Sequence, residues 1–78
     1  MPFRSVPTGI FRKWLRSREL VYVRTKGGHE IWDYPDGSLL RPVIFRAEPK
    51  DIPPLQIQTN LNTLGVSKKE FYEEIAKM

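Results

Sequence analysis

The chain has 78 residues and a formal net charge of +4, with 40% hydrophobic, 12% aromatic and 28% charged residues. A single core of ordinary domain size accounts for that length, so a second domain is excluded, and the apolar content is too high for wholesale disorder. With no Cys and one His, disulfide scaffolds, thiol nucleophiles and zinc sites with three or four convergent ligands fall away, and no metal or cofactor is expected.

Residues 1–7 form a Pro-bearing lead without pattern, expected to be poorly ordered. Thr8 is placed to cap a helix over about residues 9–18, where Ile10, Phe11, Trp14 and Leu15 recur at helical spacing. Burial of that stripe turns Arg12, Lys13 and Arg16 into solvent together as a basic face; the plainer alternative is an amphipathic helix whose cations snorkel over its apolar flank. Residues 20–25 are β-branched and aromatic, Lys26-Gly27-Gly28 makes a turn, and residues 29–34 return as the second arm of a hairpin. Pro35-Asp36-Gly37 is a second turn, and a third extended run over residues 39–46 comes back antiparallel. Pro42 in that run has no N–H to donate, so the run is expected at a sheet edge. After a polar loop, Leu55, Ile57, Leu61 and Leu64 define a helix over residues 54–64 that Gly65 ends. Ser67 and Glu70 have capping-box spacing, and Phe71, Ile75 and Met78 form the stripe of a terminal helix.

The order α-β-β-β-α(-α) predicts one α+β domain over residues 1–78. It has two layers, with helices on one face of a three-stranded antiparallel sheet and the other face free. A domain this small hides only about 60% of the surface of its unfolded chain, so an oligomer or a partner complex is expected. The longest aliphatic or aromatic run is residues 20–23 and the basic N-terminal stretch lacks an apolar core, so neither a membrane span nor a secretion signal is read and a cytoplasmic location is expected.

Charge is unevenly placed. Residues 1–26 hold seven Lys or Arg against Glu19 alone, a net +6, and residues 27–78 hold six basic and eight acidic groups, a net −2. A basic first third suits a polyphosphate partner, so nucleic acid leads over a merely solvated surface. Along the second hairpin arm, His29, Ile31 and Asp33 share one face and Glu30, Trp32 and Tyr34 the other. If Trp32 plugs the core, as Trp14 is expected to, His29 faces outward, although Glu30 and Ile31 spoil a clean alternation. Gly27 and Gly28 let the main chain approach a phosphate, and Arg24 and Lys26 can neutralise it. Taken alone, a lone His is either a hairpin residue satisfied by a backbone carbonyl or a proton-transfer group.

The run Lys26-Gly-Gly-His-Glu-Ile-Trp-Asp-Tyr-Pro-Asp-Gly37 resembles the HicA family of bacterial toxins, whose signature is a Lys-Gly-Ser-His turn, an aromatic three residues beyond the His, and a Pro-Asp-Gly hairpin. Ile52-Pro-Pro, Leu61-Asn-Thr-Leu-Gly-Val-Ser67 and Glu70-Phe71 extend the likeness, which covers about residues 20–75. Gly28 stands in place of the usual Ser, Gln58 and Asn60 in place of typical Arg and Ile, and Phe45-Arg46 in place of a common Val-His. The resemblance implies a fold like the double-stranded-RNA-binding domain, an mRNA endoribonuclease activity with His29 as catalytic residue, and a HicB-like antitoxin as partner. RNA brings its own nucleophile in the 2′-OH, so a base for that proton and groups that hold the phosphate go most of the way to cleavage without a metal. On this view RNA lies along the first helix and the turn, contacting Arg12, Lys13, Arg16, Arg24, Lys26, Gly27, Gly28 and Arg46. The alternative is a binding module without chemistry, for RNA or for a protein partner. A DNA-binding regulator ranks lower, because no helix-turn-helix spacing appears.

Overall fold

The structure, a computed structural model, describes residues 4–78. Its elements are β1 (Val6–Pro7), α1 (Thr8–Ser17), β2 (Val21–Lys26), β3 (His29–Asp33), β4 (Val43–Arg46), β5 (Asp51–Ile52), α2 (Pro54–Leu64) and α3 (Lys68–Ala76). The result is a small α+β domain in which β2, β3 and β4 form an antiparallel sheet in that order and β1 pairs with β5 in a separate two-stranded ribbon.

The spacing of apolar residues on α1 decides the core. Phe11, Trp14 and Leu15 fall on one face of the helix, and all three are fully buried. They meet the inner face of the sheet and the other helices: Phe11 stands edge-on to Phe45 with ring centroids 5.2 Å apart, and Trp14 edge-on to Phe71 at 4.7 Å. Trp32, Val43, Ile57 and Leu61 belong to the same cluster. Each large apolar side chain removed from water contributes about 1.5–3 kcal/mol, which makes this aromatic cluster the main source of stability in so short a chain.

The lead departs from the sequence expectation. Residues 1–3 lie outside the described residues, but residues 4–7 are tied down. The Arg4 N–H donates to the Tyr72 hydroxyl at 2.8 Å, that hydroxyl donates back to the Arg4 carbonyl at 2.7 Å, and Val6 is buried against the core. Tyr72 on α3 supplies the anchor, which no local pattern in the lead could reveal. Thr8 also behaves differently: it is the first residue of α1, and its hydroxyl donates to the Pro49 carbonyl at 2.7 Å instead of capping the helix.

The third strand is shorter than the run that suggested it. Pairing covers only Val43–Arg46, because Pro42 cannot donate, and the Asp33 carboxylate takes the Leu39 N–H at 3.3 Å within a loop. As expected, β4 lies at an edge. That edge is closed by side chains of α2. Asn60 accepts from the Ile44 N–H at 3.2 Å and donates to the Ile44 carbonyl at 3.0 Å, and Gln56 accepts from the Arg46 N–H at 3.2 Å. Asn60 thus stands in for a neighbouring strand, which explains a polar residue buried to 3% exposure on the core side of a helix.

Two helices end in the same way with different residues. After α1, the Leu20 N–H bonds the Leu15 carbonyl and the Glu19 N–H the Arg16 carbonyl, both at 3.0 Å. After α2, Val66 bonds Leu61 and Gly65 bonds Asn62 in the same pattern. Both motifs need a left-handed residue, and Gly65 at φ 70° takes that conformation freely, while Glu19 takes it at φ 70° against its own Cβ. At the start of α3 only half of the capping box forms: the Ser67 hydroxyl accepts from the Glu70 N–H at 3.1 Å, whereas the Glu70 carboxylate turns to Arg18 at 2.9 Å. Replacing Glu19 by Gly is therefore expected to stabilise the domain by about 1 kcal/mol and to raise Tm by about 4–8 °C. A thermal melt with no rise would show that strain at this position is relieved elsewhere.

Candidate functional site

The turn between β2 and β3 is as short as a hairpin allows. Lys26 pairs directly with His29, and the two residues between them, Gly27 and Gly28, have φ of 59° and 80°. Positive φ at both central positions is what a type I′ turn requires, and glycine meets it without steric cost. Beyond the turn His29 pairs on its other side with Arg46. Residues directly opposite one another across antiparallel strands project to the same side of the sheet, so Lys26, His29 and Arg46 stand in a row across three strands with the imidazole in the middle.

Which side that is follows from the burial of β3. Glu30 and Trp32 are buried and His29, Ile31 and Asp33 are half-buried, an alternation without exception. Glu30 and Trp32 therefore face α1 and the core, and His29 faces outward on the sheet surface that the helices leave open. Arg24 and Ile44 pair with Ile31 and so share the outer face, as does Val21 opposite Asp33. The hairpin end of that face is basic and its middle is aliphatic. Between the turn and the loop after β4 runs a shallow groove lined by Gly27, Gly28, Arg46, Glu48 and Pro49. Among the described residues Arg24, Lys26 and Arg46 enter no salt bridge. A second concavity, between the loop at Ser38 and Arg41 and α2 at Thr59 and Asn62, is lined by no carboxylate and no imidazole.

The alternation is clean because Glu30 is a buried acid with dedicated partners. Arg12 on α1 places Nε 3.0 Å from both carboxylate oxygens and adds an Nη2 contact, and the Trp32 indole N–H donates to Oε1 at 3.0 Å. The hydrogen bond from Arg12 is the leading cause that holds the Glu30 carboxyl below its ordinary range. Burial pushes the other way, and the Trp32 N–H and the charges of Arg12 and Arg16 add to the lowering. Arg12 in turn is held more firmly protonated by that bond.

This network redraws the basic face of the first helix. The expectation that Arg12, Lys13 and Arg16 enter solvent together holds only for Lys13 without qualification. Arg12 is consumed by Glu30, and Arg16, though exposed, lays its guanidinium 5.3 Å from the centroid of the Trp32 ring. Arg18 does similar work at the other tryptophan: it binds Glu70 and Glu74 at 2.9 and 2.8 Å, while Glu74 accepts from the Trp14 indole N–H at 2.8 Å. Arg12 meets Glu30 on the inner face of β3, whereas His29 projects from the outer face. The structure brings together Arg24, Lys26, Gly27, Gly28, His29 and Arg46 and leaves Arg12, Lys13 and Arg16 on the far layer. Sequence alone singles out neither Glu30 nor Asn60. The available signal was the coincidence of Glu30 with the Trp32 face, two residues apart on a strand, which requires a cation from another element.

Among the described residues, no group of three or more His, Cys, Asp or Glu is placed to hold a metal ion, and no helix is long and apolar enough to cross a membrane. Compared with known proteins, the chain matches no family model, no curated protein and no solved structure.

Because the Glu30 carboxyl is lower in the folded than in the unfolded chain, the stability it lends is fully present above the ordinary Glu value of about 4.3 and is lost as pH falls through the folded value. Glu30→Gln is accordingly expected to cost about 1–2 kcal/mol at neutral pH, with the gap to the parent closing as the pH is lowered. Urea unfolding of both proteins over that range is the check. A gap that does not narrow in acid would mean that the carboxylate charge is not what Arg12 requires.

Proposed function

We propose that the protein binds RNA through the outer face of its sheet and cleaves it by metal-independent transesterification, with His29 as the general base, in the manner of a HicA-type toxin held in check by an antitoxin. The observation that carries this reading is the row Lys26, His29, Arg46 across the open face. An imidazole with a cation on either side can meet a ribose while its neighbours hold the phosphates. Neighbouring strands are about 4.8 Å apart, so the two long cationic side chains flank the ring and reach phosphates on both sides of one nucleotide. The likeness of the Lys26 to Gly37 run to HicA proteins supports the same reading, and we extend it to a framework related to the double-stranded-RNA-binding domain.

In the reaction His29 takes the proton of the 2′-OH, the 2′-oxygen attacks the adjacent phosphorus, and the bond from phosphorus to the 5′-oxygen breaks. The products are a 2′,3′-cyclic phosphate and a 5′-hydroxyl, the latter receiving a proton as it leaves. Lys26, Arg46 and Arg24 offset the charge that grows on the phosphorane oxygens, and Gly27 and Gly28 allow the backbone close approach, since a Cβ at either position would be the first atom in the way. Arg12 and Arg16 belong to the fold in this scheme. The remaining aliphatic surface at Val21, Ile31 and Ile44, rimmed by cations, suits an acidic antitoxin that covers His29, with charge complementarity speeding the encounter.

Incubation of the purified protein with single-stranded mRNA in EDTA is the direct test. His29→Ala is expected to lower the cleavage rate by about 10²–10⁴-fold with the fold and most RNA affinity retained. Lys26→Ala and Arg46→Ala are each expected to reduce the salt dependence of binding by about one phosphate contact. Cleavage that survives loss of His29 removes it from the mechanism. Salt-sensitive binding with no product at any time would reassign the surface to a binding module.

A further inference from the structure

The His29 ring is held by its own turn. Nδ1 lies 3.2 Å from the carbonyl oxygen of Gly27, two residues earlier. A carbonyl oxygen only accepts, so this contact is a hydrogen bond only when Nδ1 carries the proton. The two glycine carbonyls of the turn divide their work: that of Gly28 accepts from the Ala47 N–H at 3.0 Å and extends the pairing toward β4, which leaves that of Gly27 for the imidazole.

We infer that Gly27 is a positioning residue whose carbonyl holds neutral His29 as the Nδ1–H tautomer, so that Nε2 is the nitrogen with the free lone pair. Resting on the reading above, this assigns the base for the 2′-OH to Nε2 and makes the type I′ turn part of the proton-transfer geometry. The bias runs against that of an unconstrained histidine, whose neutral form carries its proton mainly on Nε2, so its presence is diagnostic. A hydrogen bond on one ring nitrogen is the usual means by which a protein chooses the tautomer of the other.

The test is a long-range proton–nitrogen correlation spectrum of the 15N-labelled full chain, recorded at alkaline pH. The expected result is that Nδ1–H exceeds Nε2–H, a reversal of the unconstrained order. A majority of Nε2–H, or two equal averaged nitrogens, overturns the inference. Gly27→Asn, which tolerates positive φ and keeps the carbonyl in place, is expected to leave the ratio unchanged. One glycine inserted between Gly27 and Gly28 moves the carbonyl and is expected to abolish the excess, and an excess that persists there takes the role away from Gly27. In RNA cleavage the insertion is expected to lower kcat by about tenfold or more. The parent spectrum decides the tautomer even if the inserted turn fails to fold. Protein that shows Nδ1–H and cleaves nothing sinks the nuclease reading alone, and protein that cleaves while showing Nε2–H sinks the tautomer alone.

Discussion

A carboxylate enclosed between a helix and a sheet must be matched by a cation, and in this domain the rest of the arrangement follows from that match. Glu30 is at 8% exposure, and Arg12 and the Trp32 indole satisfy its oxygens. An unpartnered carboxylate in that position costs several kcal/mol, so α1 must cross β3 with Arg12 over Glu30. That alignment fixes the face of β3 directed at the core, and the side-chain period of two then sends His29 to the opposite surface. The buried ion pair and the open imidazole are consecutive residues, and one position is the reason for the other.

The same pairing changes what the positive charge of the chain is for. Much of it lies on α1 and just after it, yet Arg12 and Arg18 are bound to carboxylates and Arg16 lies over an indole. Both tryptophans are core residues whose one polar atom donates to a glutamate, and each of those glutamates is itself held by an arginine from the first helix or its end. These repeated Trp–Glu–Arg clusters fasten the helical layer to itself and to the sheet. Arg24, Lys26 and Arg46, by contrast, stand on the sheet outside these clusters, with Lys26 and Arg46 on either side of His29.

The two edges of the sheet are treated differently. Asn60 and Gln56 occupy the hydrogen-bonding groups of β4, so α2 seals that side. All six residues of β2 are exposed, and on that side a register shift between Tyr22 and Arg24, together with the charges of Arg24 and Lys26, opposes strand addition. The open outer face is thus bounded by one edge that is closed and one that is irregular and charged.

From the sequence by itself came the order of the three helices and of the three strands of the main sheet, though not the β1–β5 ribbon, together with the hairpin and its Gly27-Gly28 turn, the helix over residues 54–64 with its glycine end, and the apolar stripe of Phe11, Trp14 and Leu15. Each of these is a local matter: periodicity, turn stereochemistry and capping act over a few residues and are written in the residues themselves. Tertiary structure decided the anchoring of residues 4–7 by Tyr72, the use of Asn60 as a surrogate strand and the removal of Arg12 from the basic surface. Those depend on partners as many as 68 residues away along the chain, and a charge has no sign in the sequence that tells whether it will face water or a buried counter-ion. His29 stands between the two cases. The turn that presents it is legible in two glycines and its outward direction in the burial of Trp32, while the cation that makes burial of Glu30 admissible comes from α1.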